Sequence, residues 1–389
     1  MASQELDREL ADSATQALPG HLGFSDGRAA IVTFVHRQTG EQATYAQTGA
    51  PVSVGALFHS CSGGIMIEFV FLGTSASAPS VERGLSAAIV MREEQRFLVD
   101  CGEGTQRQIL RSGLGFKRLD KVLLTHGHLD HILGLGGLVS TFARWEAVNY
   151  LSIYAGGWAL ERVRDLMNVV LRGGEVQLKI DFQELQPGVF WRRHGLTISA
   201  FPVSHRGPGC FGFLFEEESR SSFLADAAER LGVPAGPERR LLVQGQAITL
   251  ADGRTIQPDQ VLGPLIPGVK LAWVGDAGEI EGLHPYVAAA DALVIEATYL
   301  DVEADMAQRF GHLTASQAAT LAYEAGVKSL YLTHISRRYS PSQVLAEAQP
   351  ICANTVVARD LDWFRLTRAE VAHAECPARE RVPEEEEQA

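Results

Sequence analysis

The chain has only five cysteines, Cys61, Cys101, Cys210, Cys352 and Cys376, and no two of them form a C-x-x-C pair. An odd, scattered set gives neither a zinc knuckle nor a disulfide framework, and it fits a reduced cytoplasm. No run of eighteen uncharged apolar residues occurs, so no membrane-spanning helix is expected. The opening MASQELDREL lacks the basic and apolar regions of a secretory signal. Positive charge is also scarce: 34 Lys and Arg face 47 Asp and Glu, a formal net charge of -13. That sign argues against non-specific nucleic-acid binding over the whole surface, so an RNA substrate would need cations gathered locally. Part of the acidity is the run Glu384, Glu385, Glu386 and Glu387, which reads as a solvated tail.

Histidine is concentrated in one place. The chain has 12 in 389 residues, and three stand within THGHLDH, which follows the apolar strand KVLLT. At strand-like spacing the side chains of His126 and His128 point the same way and can grip one ion. Asp130 and His131 follow the turn, where ILGLGGL begins a helix, and are placed for a second ion beside the first. Imidazole with carboxylate suits zinc, manganese or iron better than magnesium or calcium. A cluster of surface histidines on a loop is the bland alternative, and H-x-H-x-D-H directly after an apolar strand disfavours it. Three more candidates sit at strand ends: His205 in AFPVSHRG, Asp276 in LAWVGDAGE and His334 in SLYLTHIS. Each alone could be an ordinary loop residue. Strand ends are nevertheless where a layered α/β domain gathers its site.

Three regions separate by composition. Residues 1–65 are polar with short apolar runs and read as a weakly ordered extension. Residues 66–368 alternate apolar strands such as IEFVFLG, RFLVD and ALVIEAT with amphipathic helices such as ALERVRDLMNVVL and TASQAATLAYEAG. Early strands lie close together and later ones alternate with helices, which predicts two sheets sandwiched between helices. Residues 214–268, rich in Gly and Pro, interrupt two core strands and read as an inserted arm. Residues 369–389 read as a disordered acidic tail.

The segments FLGTSASAPS, LVDCGEGTQRQIL, LTHGHLDHILGLGGL, IEATY, GHLTASQAA and LTHISRRYS follow one another over about residues 66 to 365. Together they resemble the short form of ribonuclease Z, a tRNA 3′-processing endonuclease of the metallo-β-lactamase superfamily. The resemblance implies an α/β, four-layered αββα metallo-β-lactamase fold with an inserted flexible arm. It implies two zinc ions per subunit, with manganese or another divalent metal as the substitute. His126, His128 and His205 would hold the first ion, Asp130, His131 and His334 the second, and Asp276 would bridge them. Asp130 would also serve catalysis, and Asp100 would orient a ligand from behind. His312, paired with Glu296, would protonate the leaving ribose oxygen. Precursor tRNA would be the substrate and a homodimer the assembly. Gly236, Pro237, Arg239 and Arg240 at the arm tip would grip the tRNA body, and Arg337 and Arg338 would anchor phosphates near the metals. The family's usual motifs differ here at Ile295, Ala277 and Leu313, which puts the hydrogen bonding around the ligands in question. The enzymatic alternative is a small-molecule hydrolase of an ester, thioester or phosphodiester on the same fold. An RNA-binding protein with a vestigial metal site is the non-enzymatic one.

Overall fold

IEFVFLG is apolar at every position but one, the pattern of a strand buried on both faces. It forms β4, Ile67–Gly73, the seventh residue closing against the next strand. The computed structural model describes residues 67–145, 148–172 and 177–366, and the backbone of four more strands. Three of these, β1 (Ile31–Val35), β2 (Gln42–Ala46) and β3 (Pro51–Val52), form an antiparallel sheet in the unit Met1–Gly63. The rest of the predicted extension, and the predicted acidic tail apart from the strand Val371–Ala374, lie outside the described residues.

The second unit, Gly64–Ala389, carries two large sheets. After β4 come β5 (Ala87–Arg92), β6 (Gln95–Val99), helix α1 (Thr105–Arg111) and β7 (Lys121–Leu123). A short helix α2 (Leu129–Ile132) leads into α3 (Gly134–Trp145), β8 (Tyr150–Ala155), α4 (Gly157–Val170) and β9 (Lys179–Glu184). The second sheet uses β10 (Gly188–Arg193), β11 (Leu196–Pro202) and β12 (Phe211–Glu217). It continues after the arm with β17 (Lys270–Gly275), β18 (Ala292–Glu296), β19 (Leu330–Thr333) and β20 (Thr355–Val357). Its order is β10-β11-β12-β17-β18-β19-β20. The chain then crosses back, and β21 (Trp363–Leu366) and β22 (Val371–Ala374) extend the first sheet beside β4.

Alternation along the strands builds the layers. Phe69 and Phe71 of β4, Phe97 of β6, Trp273 of β17 and Tyr331 of β19 meet in one cluster between the sheets. The intervening Val70, Leu72 and Leu98 face a second cluster with Leu135, Leu138 and Phe142 of α3 and Leu160 and Val163 of α4. On the far side, Ala272, Val274, Leu293 and Ile295 pack under Leu321 and Val344. Those two come from helices α9 (Ala315–Glu324) and α10 (Pro341–Ala348), which follow the short α7 (His284–Val287) and α8 (Ala304–Phe310). The expected αββα order is therefore present. Edge-on contacts such as Phe69–Tyr331, with centroids 5.2 Å apart, close the central layer. Each fully buried ring or leucine contributes on the order of 1.5–3 kcal/mol relative to exposure.

The arm differs from its expected bounds. Phe213–Glu216 pair with Trp273–Lys270, so residues 214–217 belong to the sheet and the excursion covers 218–268. It contains β13 (Arg220–Phe223), α5 (Ala225–Leu231), α6 (Pro237–Val243), a small hairpin of β14 (Ile248–Thr249) and β15 (Thr255–Ile256), and β16 (Leu262–Ile266). Ala228, Val233, Leu242, Ile248, Ile256 and Val261 give it a core of its own. The helices α5 and α6 were not foreseen. Seven-residue helices amid Gly and Pro give too short a periodic signal to read.

Strand direction decides where the site lies. β6 and β7 run parallel, as do β17, β18 and β19, and β11 has the same direction as β17 because both are antiparallel to β12. Their C-terminal ends share one edge, where an α/β layered fold collects functional groups. β5 and β12 run the other way, so Arg92 and the arm root at Glu217 lie at the opposite edge.

Candidate metal centre

Seven of the predicted side chains converge at that edge. Asp276 is the hub: its Oδ2 is 3.9 Å from His126 Nε2, 3.5 Å from His131 Nε2, 3.8 Å from His205 Nε2 and 3.4 Å from His334 Nε2. His128 turns its Nδ1 inward, 2.8 Å from His126 Nε2 and 3.3 Å from His205 Nε2. Asp130 Oδ2 is 3.4 Å from His334 Nε2 and 3.8 Å from His131 Nε2. His126, His128 and His205 thus make one cluster of donor atoms, and Asp130, His131 and His334 another.

The local backbone is specialised for this. β17 ends in Gly275 at φ +74, a conformation that L side chains rarely adopt. A Cβ there would stand 2.9 Å from Thr125 Cγ2, so glycine lets Asp276 close against the histidine segment. Asp100 and His334 hold φ of +56 and +54, outside the usual range for such residues. Non-glycine strain of this kind persists where surrounding contacts over-determine it.

Outward hydrogen bonds fix the ring tautomers. Asp100 Oδ2 accepts from His131 Nδ1 at 2.8 Å, and Asp100 also accepts from the Thr125 amide and hydroxyl. Thr125 Oγ1 lies 3.0 Å from His126 Nδ1, and Thr298 Oγ1 lies 2.9 Å from His334 Nδ1. His205 Nδ1 donates to the Gly311 carbonyl at 2.6 Å. With Nδ1–H spent outward, each of these four rings turns its Nε2 inward, the atom that offers a lone pair once it carries no proton. Lone pairs gathered so closely repel unless a cation sits among them. Consistent with that, His131 Nε2 and Asp276 Oδ1 are two of three buried side-chain polar atoms without a hydrogen-bond partner among the described residues. A set of five imidazoles and two carboxylates fits divalent metal well.

The titration behaviour follows burial and charge. Burial, and the neighbouring histidines, hold His126 well below its ordinary range. Burial likewise lowers His205 and takes His128 down to about 4. Burial pushes the Asp276 carboxyl up, but the charges of His334 and His131 outweigh it and hold Asp276 well below the usual carboxylate range. Neutral imidazoles and an ionised aspartate are the forms that ligate. Burial lowers His131, but the charges of Asp276 and Asp100 outweigh it and hold His131 well above its ordinary range, so this ring must give up its Nε2 proton before it can ligate as a neutral imidazole.

His312 stands beside this cluster. Thr314 caps α9 by accepting from the Gln317 amide, which anchors the chain two residues after His312. His312 Nδ1 is 2.9 Å from Glu296 Oε1 and 3.9 Å from Asp276 Oδ2. Burial lowers its pKa, but Glu296, by charge and hydrogen bond, and then Asp276 outweigh this and raise it to about 9. Glu296 is fully buried and also accepts from the Ala277 amide at 2.8 Å and from the Thr298 hydroxyl.

The three motif departures are explained at this point. Position 277 supplies a backbone donor, which alanine retains. Ile295 and Leu313 are buried in the outer hydrophobic cluster and face away from the ligands. Thr125, Thr298 and the Ser77 amide, which donates to Asp130 Oδ2 at 3.0 Å, were not singled out from sequence. All three lie within or beside the quoted segments, and a threonine beside a strand-end ligand was the available signal.

The remaining predicted residues make no hydrogen bond or ion pair with these seven side chains. Gly236 and Pro237 stand at the start of α6 in the arm. Arg239 donates to the carbonyls of Val233 and Pro234 and covers Phe223, so it braces the arm, whereas Arg240 is exposed. Arg337 is exposed, and Arg338 pairs with Glu303 at 2.9 Å.

Residues 81–216 match the metallo-beta-lactamase superfamily. A ribonuclease Z of Bradyrhizobium diazoefficiens is 47% identical over 297 residues, covering 76% of this chain and 99% of that protein. One of Archaeoglobus fulgidus is 38% identical over 308 residues, covering 78% and 99%. The chain belongs to the ribonuclease Z family. Its fold agrees: the crystal structure of human tRNase Z, short form, superposes with a TM-score of 0.55 at 26% identity, covering 76% of this chain and 98% of that one. In this ribonuclease Z family member no helix among the described residues is long and apolar enough to cross a membrane.

Asp100 offers a first test. Asparagine there cannot accept from His131 Nδ1 and Thr125 together without presenting an amide donor to one of them. Asp100→Asn is expected to weaken metal retention by about 10–100-fold, read by competition with a chromogenic chelator. Unchanged retention would show that Asp100 does not orient the cluster.

Proposed function

We propose that the chain is a zinc-dependent endoribonuclease that removes the 3′ trailer from precursor tRNA. It leaves a 3′-hydroxyl on the tRNA and a 5′-phosphate on the trailer. The observation that carries this reading is the His312–Glu296 pair set against Asp276. Cleavage at that bond releases a ribose 3′-oxygen, which needs a proton. His312 has its Nδ1 committed to Glu296, so the proton it gives is the one on Nε2. Glu296 keeps the ring oriented and favours the charged form before transfer.

His126, His128 and His205 would hold one ion, Asp130, His131 and His334 the other, and Asp276 would touch both. Ions so held would supply a water of lowered pKa and positive charge against the phosphoryl oxygens. Asp130, fixed by the Ser77 amide and its hydrogen bond with His334, is also placed to steady the attacking water. Arg337 and Arg338 extend from the loop after His334 and would meet flanking phosphates. Asp100 holds His131 and Thr125 from behind.

The arm is the proposed grip on the tRNA body, through Gly236, Pro237 and Arg240, with Arg239 bracing it. Its root at the sheet edge opposite the metal cluster favours a homodimer in which each arm serves the partner's site. The cytoplasm is the proposed location, in keeping with the three described cysteines, which are buried and free.

Purified protein incubated with a trailer-bearing pre-tRNA should give two products whose ends map to the bond after the acceptor stem. Chelation should stop the reaction and zinc or manganese restore it. Cleavage that persists without metal, or products with a 3′-phosphate on the tRNA side, would refute this chemistry.

A further inference from the structure

Two strand ends, a hairpin turn and the return of the arm meet at one buried arginine. Arg92 ends β5 in the first sheet, and Glu217 ends β12 in the second. Arg92 Nε donates to Glu217 Oε1 at 2.9 Å, with side chains only 3% and 1% exposed. Arg92 Nη1 also donates to the carbonyl of His194, in the turn between β10 and β11. The next carbonyl in that turn, Gly195, accepts from the Glu218 amide, the first residue of the arm, at 2.9 Å.

The returning strand is fastened to the same carboxylate. The Val269 amide donates to Glu217 Oε2 at 3.4 Å, and the Glu217 amide donates to the Val269 carbonyl at 2.9 Å. Gly268 passes so close that a Cβ there would lie 1.9 Å from the Glu217 carbonyl oxygen. Both ends of the arm are thus tied, through Glu217, to a cation from the other sheet.

A buried ion pair is seldom worth more to stability than a well-packed apolar pair of the same volume. What it adds is direction. A guanidinium donates in a fixed plane and fixes the angle between the groups it joins, which greasy contacts do not. A small rotation at the root becomes a large displacement at the arm's far end. Arg92 lies at the sheet edge away from the metal cluster, so it has no place in the chemical step.

We propose that Arg92 is a positioning residue for the RNA substrate: its buried pair with Glu217 sets the direction in which the arm leaves the core. That direction decides where a folded RNA held by the arm meets the metal cluster. The inference rests on the reading of the arm as the grip on tRNA.

The test compares Arg92→Met/Glu217→Leu, which removes both charges together, with Arg92→Lys, which keeps the charge and loses the planar fork. Zinc content and thermal melting report folding. Steady-state kinetics are read on a trailer-bearing pre-tRNA and on bis(p-nitrophenyl) phosphate. KM for pre-tRNA should rise about tenfold in the double variant, with kcat within about twofold and the small substrate unaffected. Arg92→Lys should fall between wild type and the double variant, and it decides by the same comparison should the double variant not fold. An unchanged pre-tRNA KM in a folded variant overturns the proposal, as does an equal loss on both substrates. A chain with residues 219–267 replaced by a two-residue turn separates the two readings. If that chain binds and cuts pre-tRNA normally, the grip reading falls and this inference with it. If excision raises KM and the Arg92 variants do not, only this inference falls.

Discussion

Asp276→Asn is expected to lower pre-tRNA cleavage by more than about a thousandfold while leaving tRNA affinity nearly intact. The substitution keeps the side chain's shape and removes its charge. Five histidines come within 3.9 Å of Asp276 Oδ2, so its charge is the anion they share. Without it, the imidazoles would have to bind cations with only Asp130 left to offset positive charge. The same change removes one of the two groups that raise His312, leaving Glu296 to do so alone. Gel-shift titration separates binding from turnover, and emission spectrometry counts the metal. Near-normal cleavage by a metal-depleted Asp276→Asn protein would mean the cluster is not the reaction centre.

Excision of the arm should divide the substrates. Glu216 pairs with Lys270, which places 218 opposite 268, so an Asn-Gly turn can join them as an ordinary hairpin. The arm's apolar residues pack mainly on one another, so the core should survive its removal. Processing of pre-tRNA, as kcat/KM, is expected to fall by more than about a hundredfold, because binding energy remote from the scissile bond is lost. Hydrolysis of bis(p-nitrophenyl) phosphate should continue at close to the original rate. Unchanged pre-tRNA processing would remove the arm as the grip, whereas a chain that hydrolyses the small ester but never cuts pre-tRNA, with or without its arm, would return the small-molecule hydrolase to first place. Charge alone would not account for the grip: residues 218–268 contain five arginines and no lysine against six acidic residues. Arg239 is moreover committed within the arm, so on the proposed reading shape would have to contribute beside Arg240.

The core was legible because its strands are buried on both faces and carry almost nothing but apolar residues. IEFVFLG, KLAWVGD and ALVIEAT stand out for that reason. The candidate metal cluster was legible because its side chains are chemically rare and each follows an apolar strand. Three kinds of feature escaped. β9 and β10 are half exposed, with burial mixed along their length, and gave no clean period. The supports of the ligands are backbone groups or common hydroxyls, the Gly311 carbonyl, the Ser77 amide and Thr298, whose roles arise only from proximity in space. The arm's internal order was hidden by short helices and dense turns, and its boundary was misplaced by four residues because LFEE serves the sheet before the chain departs. Arg92 illustrates the limit best. In the sequence it is one basic residue in a hairpin, MREEQR, and nothing nearby marks it as the partner of a carboxylate 125 positions away.

The candidate ligands are shared between the two sheets: His126 to His131 follow the first, and His205, Asp276 and His334 follow the second. A growing polypeptide therefore completes this candidate centre late, after His334 has been made and the second layer has closed on the first. Until then a half-made chain beside the ribosome, surrounded by RNA, has no assembled means of attacking it.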